Sequence, residues 1–300
     1  MLRILGPILA ILLAPLMQGL ITRTKALMAG RRGAPLMQPY FDLYRLIRKG
    51  AVISTTTSRI FGLAPAGALA LTAVAALMLP FGGQAASVSF AGDFIVLCYL
   101  LGTARFLMVL AALDTGSSFE GLGASREMQL GALAEPAIFL ALGAMAFKSG
   151  SLSLTGINAA LPAGLSPALL LGLGAIALTL LAENSRLPID DPTTHLELTM
   201  IHEVMILDNS GPDLALWEYT ASLKLWIFMG IFLSLALSGL RLGPLGGLLI
   251  WLGGFALGSV AIGLLEATLA RLSLRRLPYF LAVAIALAAF SLIVQLGGIA

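Results

Sequence analysis

The sequence predicts an all-α polytopic membrane protein. It is read as a single membrane domain over residues 1–300, with eight transmembrane helices and both termini on the outer, periplasmic side. An amphipathic interfacial helix and a helix in a cytoplasmic-side loop complete it. Three observations lead there. The chain is 59% hydrophobic and 11% charged with a mean hydropathy of +0.97, where a soluble domain is about half apolar and a quarter charged. Apolar runs long enough to cross a core of about 30 Å, which takes about 20 helical residues, recur along the chain. Lys and Arg alternate between the loops that separate those runs.

The expected spans are, in order, 2–22, 61–80, 92–112, 130–148, 167–183, 222–240, 243–265 and 279–298. The first has no small-residue cleavage site behind it, so it is expected to be retained rather than removed as a signal peptide. The segment 23–60 carries eight basic residues, from Arg23 and Lys25 to Arg59, and the next turn, 81–91, carries none. Arg126 then falls in 113–129, no basic residue in 149–166, Arg186 in 184–221, and Arg271, Arg275 and Arg276 in 266–278. By the positive-inside rule the loops 23–60, 113–129, 184–221 and 266–278 are cytoplasmic. The net charge of +3 is thereby used for topology, and nothing points to nucleic acid. Cys98, alone inside the third span, excludes a disulfide framework or a Cys-ligated cluster within the chain.

The polar chemistry gathers on the cytoplasmic side. In GRRGAPLMQPYFDLYRLIRKG, Tyr40, Leu43, Tyr44 and Ile47 fall on one helical face and Asp42, Arg45, Arg48 and Lys49 on the other. That describes a short helix lying in the interface, either a lipid anchor or a docking platform. In RFLMVLAALDTGSSFEGLGASREMQLGALAEP, Arg105 lies inside a span, where a charge costs roughly 2.5–3.5 kcal/mol or more unless it pairs or snorkels. Asp114, Glu120, Glu127 and Glu135 are its nearest candidate partners in sequence. In ENSRLPIDDPTTHLELTMIHE, Pro188 stops one helix and Asp191-Pro192 starts another, expected over about 192–208. Thr194 and Glu197 have capping-box spacing, and His195, Thr199 and His202 share a face with Glu203 at its edge. A zincin would need a second histidine four residues after His202, and that position is Ile206, so no metal site is expected. Helix capping and solvation account for Asp190, Asp191 and Asp213 but not for Glu183, Glu197 and Glu203, which border apolar residues.

Taken together, in this order and separated by these spans, GRRGAPLMQPYFDLYRLIRKG, LDTGSSFEGLGASREMQLG and AENSRLPIDDPTTHLELTMIHE resemble the membrane subunit shared by respiratory complex I, where it is subunit 1, and the energy-converting (group 4) [NiFe] hydrogenases. The LDTG…GASRE stretch is similar to the hydrogenase branch of formate hydrogenlyase type. The resemblance implies a membrane-anchoring and coupling subunit of an oxidoreductase in the inner membrane of a prokaryote, linking electron transfer to proton or sodium ion movement. It implies no cofactor in this chain. Iron–sulfur clusters and a nickel–iron site are expected in peripheral-arm and hydrogenase-like partner subunits, with antiporter-like membrane subunits alongside and quinone as a candidate ligand.

Carried onto matching positions, Arg31, Arg32, Pro35, Tyr40, Asp42 and Arg45 belong to peripheral-arm docking. Arg105, Asp114, Glu127, Glu135, Glu183, Asp190, Glu197 and Glu203 belong to a proton path or coupling route, with Arg126, Arg186 and Pro188 beside them. Family members commonly carry Glu where this chain has Thr193 and His195, and Tyr-Ser-Gly where it has Asn209-Ser210-Gly211. Histidine titrates near neutral pH, which makes His195 or His202 a candidate to take over proton handling. The alternative within the family is a quinone-reducing complex I subunit 1. The alternative from another class is a stand-alone secondary cation or proton transporter, which would show broken helices at the membrane midplane and repeat symmetry.

Overall fold

A computed structural model describes residues 2–162, 164, 166–190, 200–240 and 243–297, and among these residues the regular structure is helical. Its α-helices are α1 (Leu2–Met28), α2 (Gln38–Ile47), α3 (Arg59–Leu77), α4 (Asp93–Asp114), α5 (Ser118–Ser149), α6 (Leu154–Ala160), α7 (Pro167–Glu183), α8 (Gly211–Ala236), α9 (Pro244–Thr268) and α10 (Leu277–Leu296). Among the described residues, α1, α3, α4, α5, α8, α9 and α10 are long and apolar enough to cross a membrane. The apolar α7 has 17 residues and spans roughly 25 Å at a rise of about 1.5 Å per residue.

The helix boundaries follow local chemistry. Ser58 caps α3 by accepting the Ile60 amide at 3.2 Å, and Ser166 caps α7 by accepting that of Leu169 at 3.3 Å, with Pro167 in the first turn. Gly150 ends α5 in the left-handed conformation that a side chain disfavours. Two boundaries move the chemistry. Because α1 runs to Met28, Arg23 and Lys25 sit on a helix rather than in the expected loop. Because α5 begins at Ser118 instead of 130, Glu120 and Glu127 are helical as well. Helix-forming Leu, Met and Ala around them, packed against the 203–206 turn, account for the extension.

The helix expected over 192–208 is not what the described part shows. Residues 191–199, including Asp191, Thr194, His195 and Glu197, lie outside the described residues. Glu203–Ile206 form a single 3₁₀ turn whose Val204, Met205 and Ile206 are buried against α4 and α5. Its side chains satisfy a core more than a helical period.

In the bundle, α10 packs on α5 and α7, α3 on α4 and α8, and α1 on α8 and α9, with the centre of α8 the most enclosed. Within α1, Pro15 has no N–H for the Ile11 carbonyl, a group that has no water to turn to inside a membrane. The Tyr219 hydroxyl of α8 donates to that carbonyl at 2.7 Å. One residue on, the Tyr40 hydroxyl of α2 donates to the Leu12 carbonyl, so the interfacial helix is tied to the same turn of α1.

On α2 the four apolar residues expected on one face are divided. Leu43 is half-buried towards a cleft between α1, α2 and α8 and Tyr40 is half-buried against α1, while Phe41, Tyr44 and Ile47 face outward. The Arg48 guanidinium lies over the Tyr44 ring, 4.2 Å from its centroid.

Candidate functional site

Arg105 on α4 is the centre of the site. Its Nη1 donates to Glu135 Oε1 at 3.0 Å, its Nη2 donates to Glu183 Oε1, and its Nε lies 3.5 Å from Glu127 Oε1. Three carboxylates from α5 and α7 thus surround one guanidinium, whose fork suits contacts with several oxygens at once. The other Glu183 oxygen, Oε2, is 2.9 Å from the Lys224 ammonium of α8. Small residues make the cluster fit. A Cβ on Gly131 would overlap Arg105 Nη1, and one on Gly102 would stand 3.2 Å from Glu135 Oε1.

The cluster opens onto a cavity of about 270 Å³. Arg105, Glu127, Glu183 and Lys224 form one side of its wall, Lys25, Arg186 and Glu266 contribute further charges, and Asp190, His202, Glu203 and Glu218 also line it. Apolar Leu101, Ala104, Met108, Ile206 and Trp217 close the rest. Trp217 is almost fully buried and its indole N–H has no hydrogen-bond partner among the described residues, so a donor waits in the cavity wall. Charged groups of both signs around a small enclosed space suit proton or ion handling, because each carboxylate has several nearby partners and little water to screen it.

The loop after α7 is pinned beneath this cavity. The Arg271 Nη2 donates to Asp190 Oδ1 at 2.7 Å, and Asp190 Oδ2 accepts from the amides of Ile201 and His202 at 3.2 and 3.1 Å. One aspartate therefore joins both sides of the segment it precedes. His202 is half-buried and lines the cavity: removal from bulk water, with Lys224 and Arg186 nearby, pushes its pKa down to about 4, against the opposing pull of Asp190. These surroundings favour its neutral form at pH 7. His195 lies outside the described residues.

Of the coupling residues expected from sequence, the structure gathers Arg105, Glu127, Glu135 and Glu183 directly, and brings Asp190 and Glu203 to the same cavity. Asp114 is elsewhere: its Oδ2 accepts the Ser58 amide at 2.7 Å and steadies the start of α3. Glu120 Oε1 accepts the Asp208 amide at 3.1 Å, and Arg126 donates to the Met200 carbonyl at 2.9 Å, both fastening α5 to the 200–208 segment. Glu197 lies outside the described residues.

Of the docking residues, Arg31, Arg32 and Pro35 are exposed in the turn between α1 and α2. Asp42 accepts from Gln38 at 3.0 Å and pairs with exposed Arg45 at 3.2 Å.

Sequence reasoning missed Lys224, Glu218, Glu266 and Lys25. A signal existed for Lys224, a charge inside the apolar run 222–240, to which the argument that required a partner for Arg105 applies equally; Glu218 and Glu266 fall in the expected loops just outside such runs. Lys25 had been assigned to topology alone. Among the described residues, no group of three or more His, Cys, Asp and Glu side chains comes together as a metal site would require.

Residues 2–296 match the family described as NADH dehydrogenase. The chain is 33% identical to hydrogenase-4 component C of Escherichia coli (strain K12) over 232 residues, 77% of this chain and 73% of that protein. It is 31% identical to formate hydrogenlyase subunit 4 of the same strain over 274 residues, 87% of each. Among solved structures, a chain of the membrane-bound sulfane sulfur reductase, an archaeal respiratory membrane complex, has the same fold, with a TM-score of 0.82 over 97% of both chains at 21% identity.

Proposed function

The chain belongs to the NADH dehydrogenase family, that of complex I subunit 1, and from that premise we propose that it is the membrane-anchoring and coupling subunit of a hydrogenase-type, complex I-like oxidoreductase. The redox chemistry takes place in peripheral partners that hold the iron–sulfur clusters and a nickel–iron site. Arg31, Arg32, Pro35, Tyr40, Asp42 and Arg45 present the docking face, and α7 crosses the membrane as an eighth span so that both termini lie outside the cytoplasm.

The observation that carries this reading is the Arg105 cluster. A guanidinium, an ammonium and two carboxylates enclosed in a membrane bundle, with a third carboxylate at its edge, are costly to bury and are commonly functional where they occur. The cluster also has a lateral end. Glu135 keeps 46% of its side chain exposed on the outer face of α4 and α5, in a hollow of about 400 Å³ lined by Cys98, Tyr99, Phe106, Met128 and Phe139. A half-exposed carboxylate among lipid-facing aromatics suits contact with a neighbouring membrane subunit. Movement of the loop carrying Asp190 and Arg186 would change the pairing around Glu183, and the altered charge would pass through Arg105 to Glu135 and sideways to that subunit.

Purification of the native complex in mild detergent tests this. Co-purification of nickel and iron with this chain is the expected result. A flavin with quinone reductase activity would replace it with the quinone-reducing reading, and a monodisperse single chain with transport activity would replace it with a stand-alone transporter.

A further inference from the structure

Two carboxylates in the cavity wall are held in the same way. Glu183 stands between Arg105 and Lys224, and Glu266 stands between Arg186 and Lys25, with Oε1 3.4 Å from Arg186 Nη1 and Oε2 3.0 Å from Lys25 Nζ. Both are buried and both line the same space. The two triads are joined covalently, because Glu183 of the first and Arg186 of the second are three residues apart on one turn. A displacement of that turn acts on both carboxylates at once.

The second triad is a built feature. One turn before Glu266, Gly263 lets α9 approach α1 so closely that a Cβ there would stand 2.7 Å from Thr24 Cβ and 3.0 Å from the Ile21 carbonyl oxygen. That contact fixes the register at which Lys25 meets Glu266. Just beyond, the arrangement repeats with the signs exchanged: α9 offers an anion to Arg186, and the segment after it offers Arg271 to Asp190 at 2.7 Å. Beside these two pairs the Leu272 amide donates to the Pro188 carbonyl at 2.8 Å.

We propose that Glu266 is a second coupling centre, a positioning residue through which α1 and α9 hold the turn that carries Glu183. It rests on the coupling reading above and adds to it an element, the end of α9 with the segment after it, that moves with the acidic loop. Lys25 of α1 and Arg186 of the loop pair with Glu266, and Glu218 and Lys224 of α8 are the other charged groups that line the cavity from that helix.

Amide hydrogen exchange on the full chain in lipid nanodiscs, paired with electron-transfer and ion-movement assays on the complex in native membranes, tests it. Glu266→Gln is expected to speed exchange of the 186–190 and 200–202 amides about tenfold, while the amides of α5 and α10 keep their rates. Glu266→Asp is expected to restore most of the protection. In membranes, Glu266→Gln is expected to lower ion movement several-fold while electron transfer continues, a split that simple loss of structure would not give.

Arg186→Gln reads the same contact from the other side, and the double variant is expected to add little to either single one. Unchanged loop exchange in both single variants, or fully additive effects in the double variant, would overturn the proposal, as would equal loss of both activities. If the wild-type complex moves no ions, the coupling reading falls, and the exchange measurement still decides whether Glu266 holds the loop.

Discussion

Lys224 Nζ lies 2.9 Å from Glu183 Oε2, joining the middle of α8 to the last residue of α7 across the wall of the cavity. Glu183 also holds Arg105, so removing the ammonium leaves the carboxylate with one cation instead of two. Lys224→Met is expected to lower stability by about 1–3 kcal/mol, less than breaking an isolated buried pair because Arg105 remains. Lys224→Arg keeps the charge and is expected to recover most of the loss. Thermal unfolding of the purified chain in detergent, followed for both variants, measures the difference.

Arg105 has no such reserve. Its removal leaves buried Glu127 and Glu183 beside half-exposed Glu135, with Lys224 alone to offset them. Arg105→Gln is expected to cost about 3–5 kcal/mol and to prevent stable assembly of the complex at growth temperature. Arg105→Lys is expected to recover only part of this, because an ammonium cannot present a planar fork to three carboxylates. The yield of intact complex from membranes, set against wild type, is the measurement. Equal yields for Lys and wild type would mean that charge alone, and not geometry, is what the site needs.

Gly131 and Gly102 provide a graded steric test of the same cluster. A methyl group at 131 would occupy the place of Arg105 Nη1, whereas one at 102 would press on Glu135 Oε1 from 3.2 Å. Gly131→Ala is expected to displace the guanidinium and cost about 1–3 kcal/mol. Glu135 is half-exposed and can turn aside, so Gly102→Ala is expected to cost less. Reversed ranking of the two unfolding midpoints would show that the guanidinium yields more easily than the carboxylate.

The sequence was most informative where a local rule had a long-range consequence. A charge inside a span requires a partner, and Arg105 found Glu135 thirty positions away and Glu183 seventy-eight away. Which residues of α8 and α9 complete the site was less legible, because Lys224 lies in the expected span 222–240 and Glu266 just past the span 243–265, and their pairing depends on how helices distant in sequence pack. The acidic loop behaved differently again. Its capping signals and periodicity fit a helix, yet Met200, Val204 and Met205 are buried against α4 and α5 as a short turn, since packing into that cleft outweighs propensity over so few residues. Asp93 shows the same limit elsewhere: its buried carboxylate accepts from the Leu154 amide and the Ser153 hydroxyl at 2.7 and 2.8 Å, organising the loop 149–166, of which the sequence showed only the lack of basic residues.

His202 gives the site a definite response to acid. Its pKa stands at about 4 in the folded chain against an ordinary value of 6.5. Between these values the unfolded chain binds a proton that the folded chain refuses, so stability falls as pH drops from 6.5 towards 4 and this contribution is fully present above 6.5. His202→Gln is expected to flatten the decline across that window while changing little above pH 7. Unfolding midpoints of wild type and variant at pH 7.5, 5.5 and 4.5 read it, with those pH values chosen to bracket the two pKa values. Parallel curves would assign the acid response to the carboxylates.

Tyr219 and Pro15 make a test of how the membrane-facing backbone is satisfied. Pro15 leaves the Ile11 carbonyl without its intrahelical donor, and the Tyr219 hydroxyl takes that place at 2.7 Å. Tyr219→Phe removes the donor and keeps the ring, with an expected cost of about 1–3 kcal/mol for a carbonyl left unpaired where a membrane supplies no water. In a Pro15→Ala background the new N–H at position 15 can bond Ile11 within α1, so the same Tyr219→Phe change is expected to cost only a few tenths of a kcal/mol. The cycle isolates the carbonyl, because both variants of Tyr219 retain the same packing. Equal costs in the two backgrounds would show that the hydroxyl matters for some contact other than the one that the proline vacates.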